Sequence, residues 1–499
     1  MTFVDFPILS VLIFLPLVTA LFIILVRGRE ARVASNTRFL ALWGATAHLG
    51  LSCVLAYAFD SSQAGYQFVE TLEWFAPFSI GYHVGVDGIS LGLVVLTSFL
   101  TWASLLASRA MTYRVKEYLV AFMVLESFTT GALLSLDLIP FYIFFEAVLV
   151  PMFFIIGIWG GERRIYATFK FFLYTLTGSL LFFVAILVLY QEIGTTDMIL
   201  IGRAGVPESL QYGLWLAFFA SFAVKLPMWP VHSWLPLAHV EAPAAGSMLL
   251  AGILLKLGAY GFMRLSLPLF PDASLYFAPM MYVLSIIAII YTSLVAWQQT
   301  DMKRLIAYAS IAHMGYVTLG IFSFTEQGMQ GALMQMVSHG VISAALFMGI
   351  GLLYEQTHSR AFSVYGGVAK VMPLFGVMMM VYTLGSVGLP GTSGFIGEFM
   401  TLHGVWEAHW LWAALAASGV VLSAMYMLAF YRRVFFGEVT PQCMGLSKVA
   451  LIDACVLWMW TLLIVGLGVY PLLYLELVQE AVSAFTPLFD RASVIRQGG

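Results

Sequence analysis

Charge is what this sequence lacks. Of its 499 residues 10% are Asp, Glu, Lys or Arg and 61% are hydrophobic, whereas soluble domains carry roughly 25% charged residues. So little charge excludes the string of soluble domains that the length alone would suggest. Cysteine is scarce too. Cys53, Cys443 and Cys455 form no Cys-x-x-Cys pair and no metal-ligand spacing, which argues against a zinc or iron–sulfur site built by this chain. No segment reads as a strand, a glycine-rich turn and a helix in succession, so no nucleotide-binding domain is expected. Low-complexity tracts and long polar linkers are missing as well. The net charge of -3 says little about partners by itself, and nucleic acid is not expected among them.

What the chain has instead is a succession of apolar runs, each about 20 residues long and able to cross roughly 30 Å of hydrocarbon. They predict an all-α polytopic membrane protein, one membrane domain over 1–499. Fourteen spans fall near 7–27, 38–59, 85–107, 117–135, 137–160, 166–190, 213–238, 243–265, 276–297, 303–323, 330–353, 371–403, 408–432 and 450–475. The first run carries its basic cluster (Arg27, Arg29, Arg32, Arg38) behind it, the pattern of a retained helix rather than a signal peptide. Alternation around Tyr66–Trp74 predicts a small hairpin in the loop from Asp60 to Gly85. Loops after odd-numbered spans hold seventeen of the 23 Lys and Arg residues, Arg109, Arg163, Lys303 and Arg432 among them. The opposite side holds Arg203, Arg264, Arg491 and Arg496. Cytoplasmic loops carry the positive excess, so both termini are expected on the periplasmic side of a bacterial inner membrane.

The two remaining cations, Lys225 and Lys256, fall inside spans seven and eight, near mid-bilayer. A charge there costs roughly 2.5–3.5 kcal/mol on insertion scales. Glu126, Glu146 and Glu398 are similarly placed in spans four, five and twelve, and His232, His239, His313 and His339 join them. A single polar group of this kind need only stitch helices together. Two lysines and several glutamates at mid-depth in one chain point to a path for protons or ions. Desolvation moves lysine and glutamate pKa values toward the working pH from opposite sides, and a nearby carboxylate opposes the change for lysine. Moving that carboxylate by a few Å therefore decides whether a lysine keeps its proton.

The backbone pattern supports a wet axis. Span seven reads Ala-Val-Lys225-Leu-Pro227-Met-Trp-Pro230-Val-His232, with Pro236 after it. Pro227 and Pro230 are expected to free the carbonyls of Ala223 and Leu226, on either side of Lys225. Span twelve carries Gly385, Gly388, Pro390, Gly391, Gly394 and Gly397 just before Glu398, a helix break that places Glu398 at the opening of a new half-helix. Broken backbone at membrane depth is tolerated only against protein or a water-filled cavity. The breaks lie five spans apart, and an odd offset implies opposite orientation, the arrangement of an inverted repeat.

These segments resemble the antiporter-like subunits of respiratory complex I and their relatives in multi-subunit cation/proton antiporters. The matching stretches are Phe145-Glu146-Ala-Val-Leu-Val-Pro151, Ala223 to Pro236, Ala242 to Lys256, Asp301 to Gly315, Ser338-His339-Gly340 and Gly388 to Glu398. The resemblance implies two inverted five-helix repeats with discontinuous helices seven and twelve. N-terminal helices 1–3 would occupy 1–110, the first repeat 111–265, the second 276–436 and the last helix 450–475. It makes Glu146 and Lys225 an ion pair, Lys256 the central lysine, His313 and His339 relay positions, and Glu398 the terminal group toward the periplasm. Glu126, His232 and His239 stay as further relay candidates. Glutamate at 398 resembles the M-type branch, since L- and N-type subunits and antiporter chains usually carry lysine there. The chain also runs on little beyond span fourteen, so the long lateral helix of the L type is not expected. The implied activity is proton pumping by one subunit of NADH–quinone oxidoreductase. L- and N-type chains are then neighbours in the bilayer, and NADH, FMN, iron–sulfur clusters and quinone belong to partner subunits rather than to this chain.

Overall fold

The computed structural model describes residues 6–75, 80–485 and 489; Arg491 and Arg496 lie outside them. The expected spans are all present. They are α1 (Ile8–Leu25), α2 (Glu30–Ala58), α3 (Gly88–Ala107), α4 (Val115–Leu134), α5 (Leu138–Trp159), α6 (Arg164–Ile193) and a divided α7 (Glu208–Lys225 and Trp234–Glu241). The second half of the chain supplies α8 (Ala244–Leu269), α9 (Pro271–Trp297), α10 (Met302–Ile321), α11 (Glu326–Thr357), a divided α12 (Pro373–Val387 and Ser393–Ala408), α13 (Trp410–Phe435) and α14 (Leu451–Val469). Eleven of these are long and apolar enough to cross a bilayer unaided. The other three are the two broken helices and α10, which is continuous but more polar. Breaks therefore occur at the fourth place of α4–α8 and again at the fourth place of α9–α13.

Helix ends depart from the hydropathy boundaries for local reasons. α2 starts at Glu30 rather than near 38, because hydropathy marks where a helix enters the membrane and not where it begins. An acidic residue in the first turn also suits the positive end of the helix dipole. The last span stops at Val469 rather than 475. Pro471 interrupts it, and a second helix, Leu472–Ser483, follows.

The hairpin is real: β1 (Gln67–Phe75) pairs antiparallel with β2 (Ile80–Val86), Glu70 opposite Val84. Glu70 ties it down by accepting from the amides of Leu9 (2.8 Å) and Ser10 (3.1 Å), two of the donors that the first turn of α1 leaves unpaired. At its other edge His83 Nδ1 lies 2.6 Å from Asp197 Oδ2. Partial burial works to raise the Asp197 carboxyl, but hydrogen bonds from His83 and from the Leu200 and Ile199 amides hold it below the usual carboxylate range.

The connections sort into two sets. After even-numbered helices, the Leu136 amide donates to His83 O (2.8 Å) and the Met198 amide to Leu136 O (3.0 Å). After odd-numbered helices, the Gly161 amide donates to Glu241 O (2.9 Å), that of Met302 to Arg360 O (3.0 Å) and that of Gly367 to Phe436 O (2.9 Å). Alternate loops can meet in this way only if every element crosses the layer. In the middle, α8 and α11 are 100% and 94% buried over their apolar windows, against 28% for α2. The polar residues of α8 and α11 are thus shielded from lipid by the other helices.

Candidate functional site

Glu146 sits on α5 where Pro151 cannot donate to the carbonyl of Ala147, and the helix is interrupted at Val148. Its carboxylate faces Lys225, the last residue before the break in α7, with Nζ 3.6 Å from Oε1. The ammonium donates to the carbonyl of Phe145 and lies 3.3 Å from the centre of the Phe145 ring, while neither Glu146 oxygen accepts a hydrogen bond from a protein group. The pair is close without being locked. The break itself departs from the proline expectation in one respect. The carbonyl of Ala223 is not left free, because the amide of Met228 reaches back to it (2.8 Å) over five residues, a step that skips Pro227.

Lys256 lies on α8 between two π-helical turns, Leu250–Leu254 and Phe262–Ser266; such turns recur at functional sites. Its ammonium donates to the carbonyl of Ala251 and, at 2.7 Å, to Nδ1 of His339 on α11. Gly258, two residues further, lets α8 press against the break in α7: a Cβ there would stand 2.7 Å from the Leu226 amide nitrogen.

From His339 the polar residues continue. Its ring centre is 5.5 Å from that of His313 on α10. A cavity of about 10 Å³ between them is lined by Ser310, Gln335, Ser343 and Ser386, roughly the size of one water. His313 Nδ1 is 2.9 Å from Glu398 Oε1, and Nε2 is 3.2 Å from Ser386 Oγ. Gln335 donates to the same Glu398 oxygen at 3.2 Å. Glu398 is the sixth residue of the second half of α12, which begins at Ser393. It therefore stands in the second turn and not at the opening of the half-helix, where the dipole acts most strongly.

Six of the expected residues thus fall into two groups: Glu146 with Lys225, and Lys256, His339, His313 and Glu398 in succession. The other three do not join them by direct contact. Glu126 is buried against His48 of α2, Nδ1 to Oε1 2.9 Å. His232 faces the rings of Tyr291 and Tyr308, each at 6.4 Å. His239 stacks on Phe347 at 4.6 Å, and neither ring nitrogen has a protein partner.

Sequence reading missed His48, Gln335 and Ser386. Gln335 could have been found, since it lies one turn before His339 on the same face. It also missed two buried charges counted as loop residues. Arg264 is inside α8 and paired with Asp87 at 2.6 Å. Lys303 is buried in the first turn of α10 and donates to Ala242 O at 2.6 Å. Both stand near helix ends, where hydropathy cannot tell a buried side chain from a solvated one.

Residues 135–425 match the family described as NADH:quinone oxidoreductase/Mrp antiporter, transmembrane. NADH-quinone oxidoreductase subunit M of Rhodobacter capsulatus is 46% identical over 490 residues, 95% of each chain. That of Rickettsia bellii is 50% identical over 443 residues, 88% of this chain and 90% of the relative. Among solved structures, a chain of respiratory complex I from Thermus thermophilus superimposes with a TM-score of 0.89 at 29% identity, covering 96% of this chain and 99% of that one. The chain belongs to the NADH-quinone oxidoreductase subunit M family of antiporter-like membrane proteins.

Proposed function

We propose that this chain is the proton-translocating M subunit of a bacterial NADH–quinone oxidoreductase, working beside L- and N-type chains in the inner membrane with both termini periplasmic. NADH, FMN, iron–sulfur clusters and quinone belong to partner subunits, and this chain moves the protons. The supporting observation is the succession from Lys256 through His339 and His313 to Glu398, in which neighbours stand at hydrogen-bond distance or one water apart.

Glu146 and Lys225 form the switch of the first repeat, and the second repeat over 276–436 carries the outward half of the route. Unit charges about 4 Å apart interact by roughly 4 kcal/mol at an effective dielectric near 20, about a thousandfold in proton affinity. Drawing Glu146 away from Lys225 weakens the lysine's hold on its proton by about that factor. Lys256 then receives it, His339 and His313 pass it on, and Glu398 releases it outward. Release works against the membrane potential, at about 2.3 kcal/mol per charge per 100 mV, so it has to be driven by the partner subunits.

The test is NADH-driven acidification in vesicles that contain assembled variants. Lys256→Arg is expected to lose most pumping, because a guanidinium does not release its proton in proteins. Glu398→Gln is expected to suppress turnover and pumping together, and Glu398→Lys to keep part of both. Normal pumping by Lys256→Arg would make Lys256 a fixed charge and end this reading. A cation/proton antiporter chain is the competing reading. Glutamate at 398 argues against it, and recovery of antiporter subunits with the chain in mild detergent would reinstate it.

A further inference from the structure

At the hairpin end of α8 a second group of buried polar residues takes no part in the route from Lys256 to Glu398. Arg264 follows Lys256 by eight residues on one helix, about 12 Å along the axis at 1.5 Å per residue, with Tyr260 midway between them. Its guanidinium donates three ways: Nε to the Tyr260 hydroxyl (3.1 Å), one terminal nitrogen to the Tyr66 hydroxyl (2.8 Å) and the other to Asp87 Oδ1 (2.6 Å). The side chains of Arg264 and Asp87 are each 6% exposed. Both partners outside α8 come from the hairpin: Tyr66 directly precedes β1, and Asp87 directly follows β2 and caps α3.

The directions of these hydrogen bonds decide what the cluster can do. A proton wire needs every member to accept a proton on one side and release one on the other. The Tyr260 hydroxyl already donates to Leu133 O (2.7 Å) and accepts from Arg264. Arginine has no acceptor and keeps its proton. The contacts from Tyr260 to Asp87 therefore conduct nothing, although they are continuous and reach toward the hairpin face. Arginine also excludes protons from pores through the electrostatic barrier of its fixed charge. Without such a block, a short file of water beside α8 would carry protons between Lys256 and the hairpin face and bypass the route to Glu398.

We propose that Arg264, held by Asp87, Tyr66 and Tyr260, is a proton seal that closes the first repeat beneath the hairpin, so that a proton on Lys256 leaves through His339. The hairpin's part is to deliver Tyr66 and Asp87 to that seal. This rests on the route through Lys256 given above, and the experiment separates the two.

Assembled complexes are placed in proteoliposomes with the membrane potential clamped by potassium and valinomycin. The decay of an imposed pH gradient is followed without NADH, and acidification per NADH oxidised is then measured. Arg264→Gln is expected to speed the decay several-fold and to lower acidification per NADH while NADH oxidation continues near its normal rate. A purely structural role for Arg264 would not produce that combination. Arg264→Lys, which keeps a charge beside Asp87 but can release a proton and loses the three-way fork, is expected to leak to a degree between the unaltered complex and Arg264→Gln. Adding Lys256→Met to Arg264→Gln is expected to restore slow decay. If the double variant leaks as fast as the single one, the seal stands and the route through Lys256 fails. An assembled Arg264→Gln complex that holds the gradient as long as the unaltered one overturns the seal. Where Arg264→Gln does not assemble, Asp87→Asn and Tyr66→Phe loosen the arginine while leaving it in place, and a partial leak is expected. Tight vesicles from both of these would overturn the proposal equally.

Discussion

Glu126 is a buried carboxylate at membrane depth, the kind of residue that marks a proton path by default, and its surroundings support another role. It shares the space among α1, α2 and α4 with His48, and both side chains are fully buried. The other nitrogen of His48, Nε2, is 3.0 Å from the carbonyl of Leu12. A carbonyl accepts a hydrogen bond and takes up no proton, so the pair has no onward member among the described residues. We propose that it is a clasp. His48→Ala leaves a carboxylate buried without its partner, a change that costs about 3–5 kcal/mol in proteins. The expected outcome is a lower thermal midpoint for the detergent-solubilised complex, largely recovered when Glu126→Leu is added, with normal pumping by the single variant once assembled. A pumping defect in assembled His48→Ala complexes would put the pair back on the route. The intramembrane position of Glu126 could be read from the chain, but the identity of the group opposite it, 78 positions away, could not.

The divided helices are where local chemistry and packing meet. Glycine and proline in the run from Gly385 to Gly397 interrupt α12, and the structure shows what two of these glycines admit. Gly388 takes the left-handed conformation (φ 80°) that ends the first half. Gly397 lets α12 lie directly on α11, where a Cβ would stand 2.7 Å from the Gln335 backbone nitrogen. Gly397→Ala therefore pushes α12 off α11 at the residue beside Glu398, and overpacking of this kind typically costs about 1–3 kcal/mol. A reduced thermal midpoint and reduced acidification are expected together. Gly466→Ala on α14 is the control, because nothing lies within 4 Å of a Cβ there. Equal behaviour of the two variants would mean that the close approach of α11 and α12 carries no weight. The π turns either side of Lys256 had no counterpart in the sequence reading. Nothing in Ala244–Leu269 distinguishes an i→i+5 turn from an ordinary one, since the turn is imposed by what packs around a fully buried helix.

For the molecule as a whole, the testable property is its orientation. A cysteine at Arg163, exposed after α5, is expected to react with an impermeant thiol reagent from the cytoplasm alone, and one at Gln63, exposed before the hairpin, from the periplasm alone; the opposite pattern would invert the assignment of both termini. Much of the architecture was legible because a bilayer imposes a one-dimensional rule. Each crossing needs about 20 apolar residues and any break needs proline or glycine, so the fourteen spans, the hairpin and both interrupted helices follow from composition along the chain. The same rule exposes Lys225, Lys256, Glu146 and Glu398 as charges that need a reason. What no reading along the chain supplies is adjacency across it. That His339 receives Lys256 and His313 meets Glu398, that Glu126 is turned aside to His48, and that Arg264 and Lys303 are buried although they stand at helix ends, all depend on which faces of the helices pack together. Hydropathy is a property of each residue in turn, whereas a hydrogen bond between α8 and α11 exists only after some eighty residues of intervening chain have been folded back, and tertiary packing alone decides it.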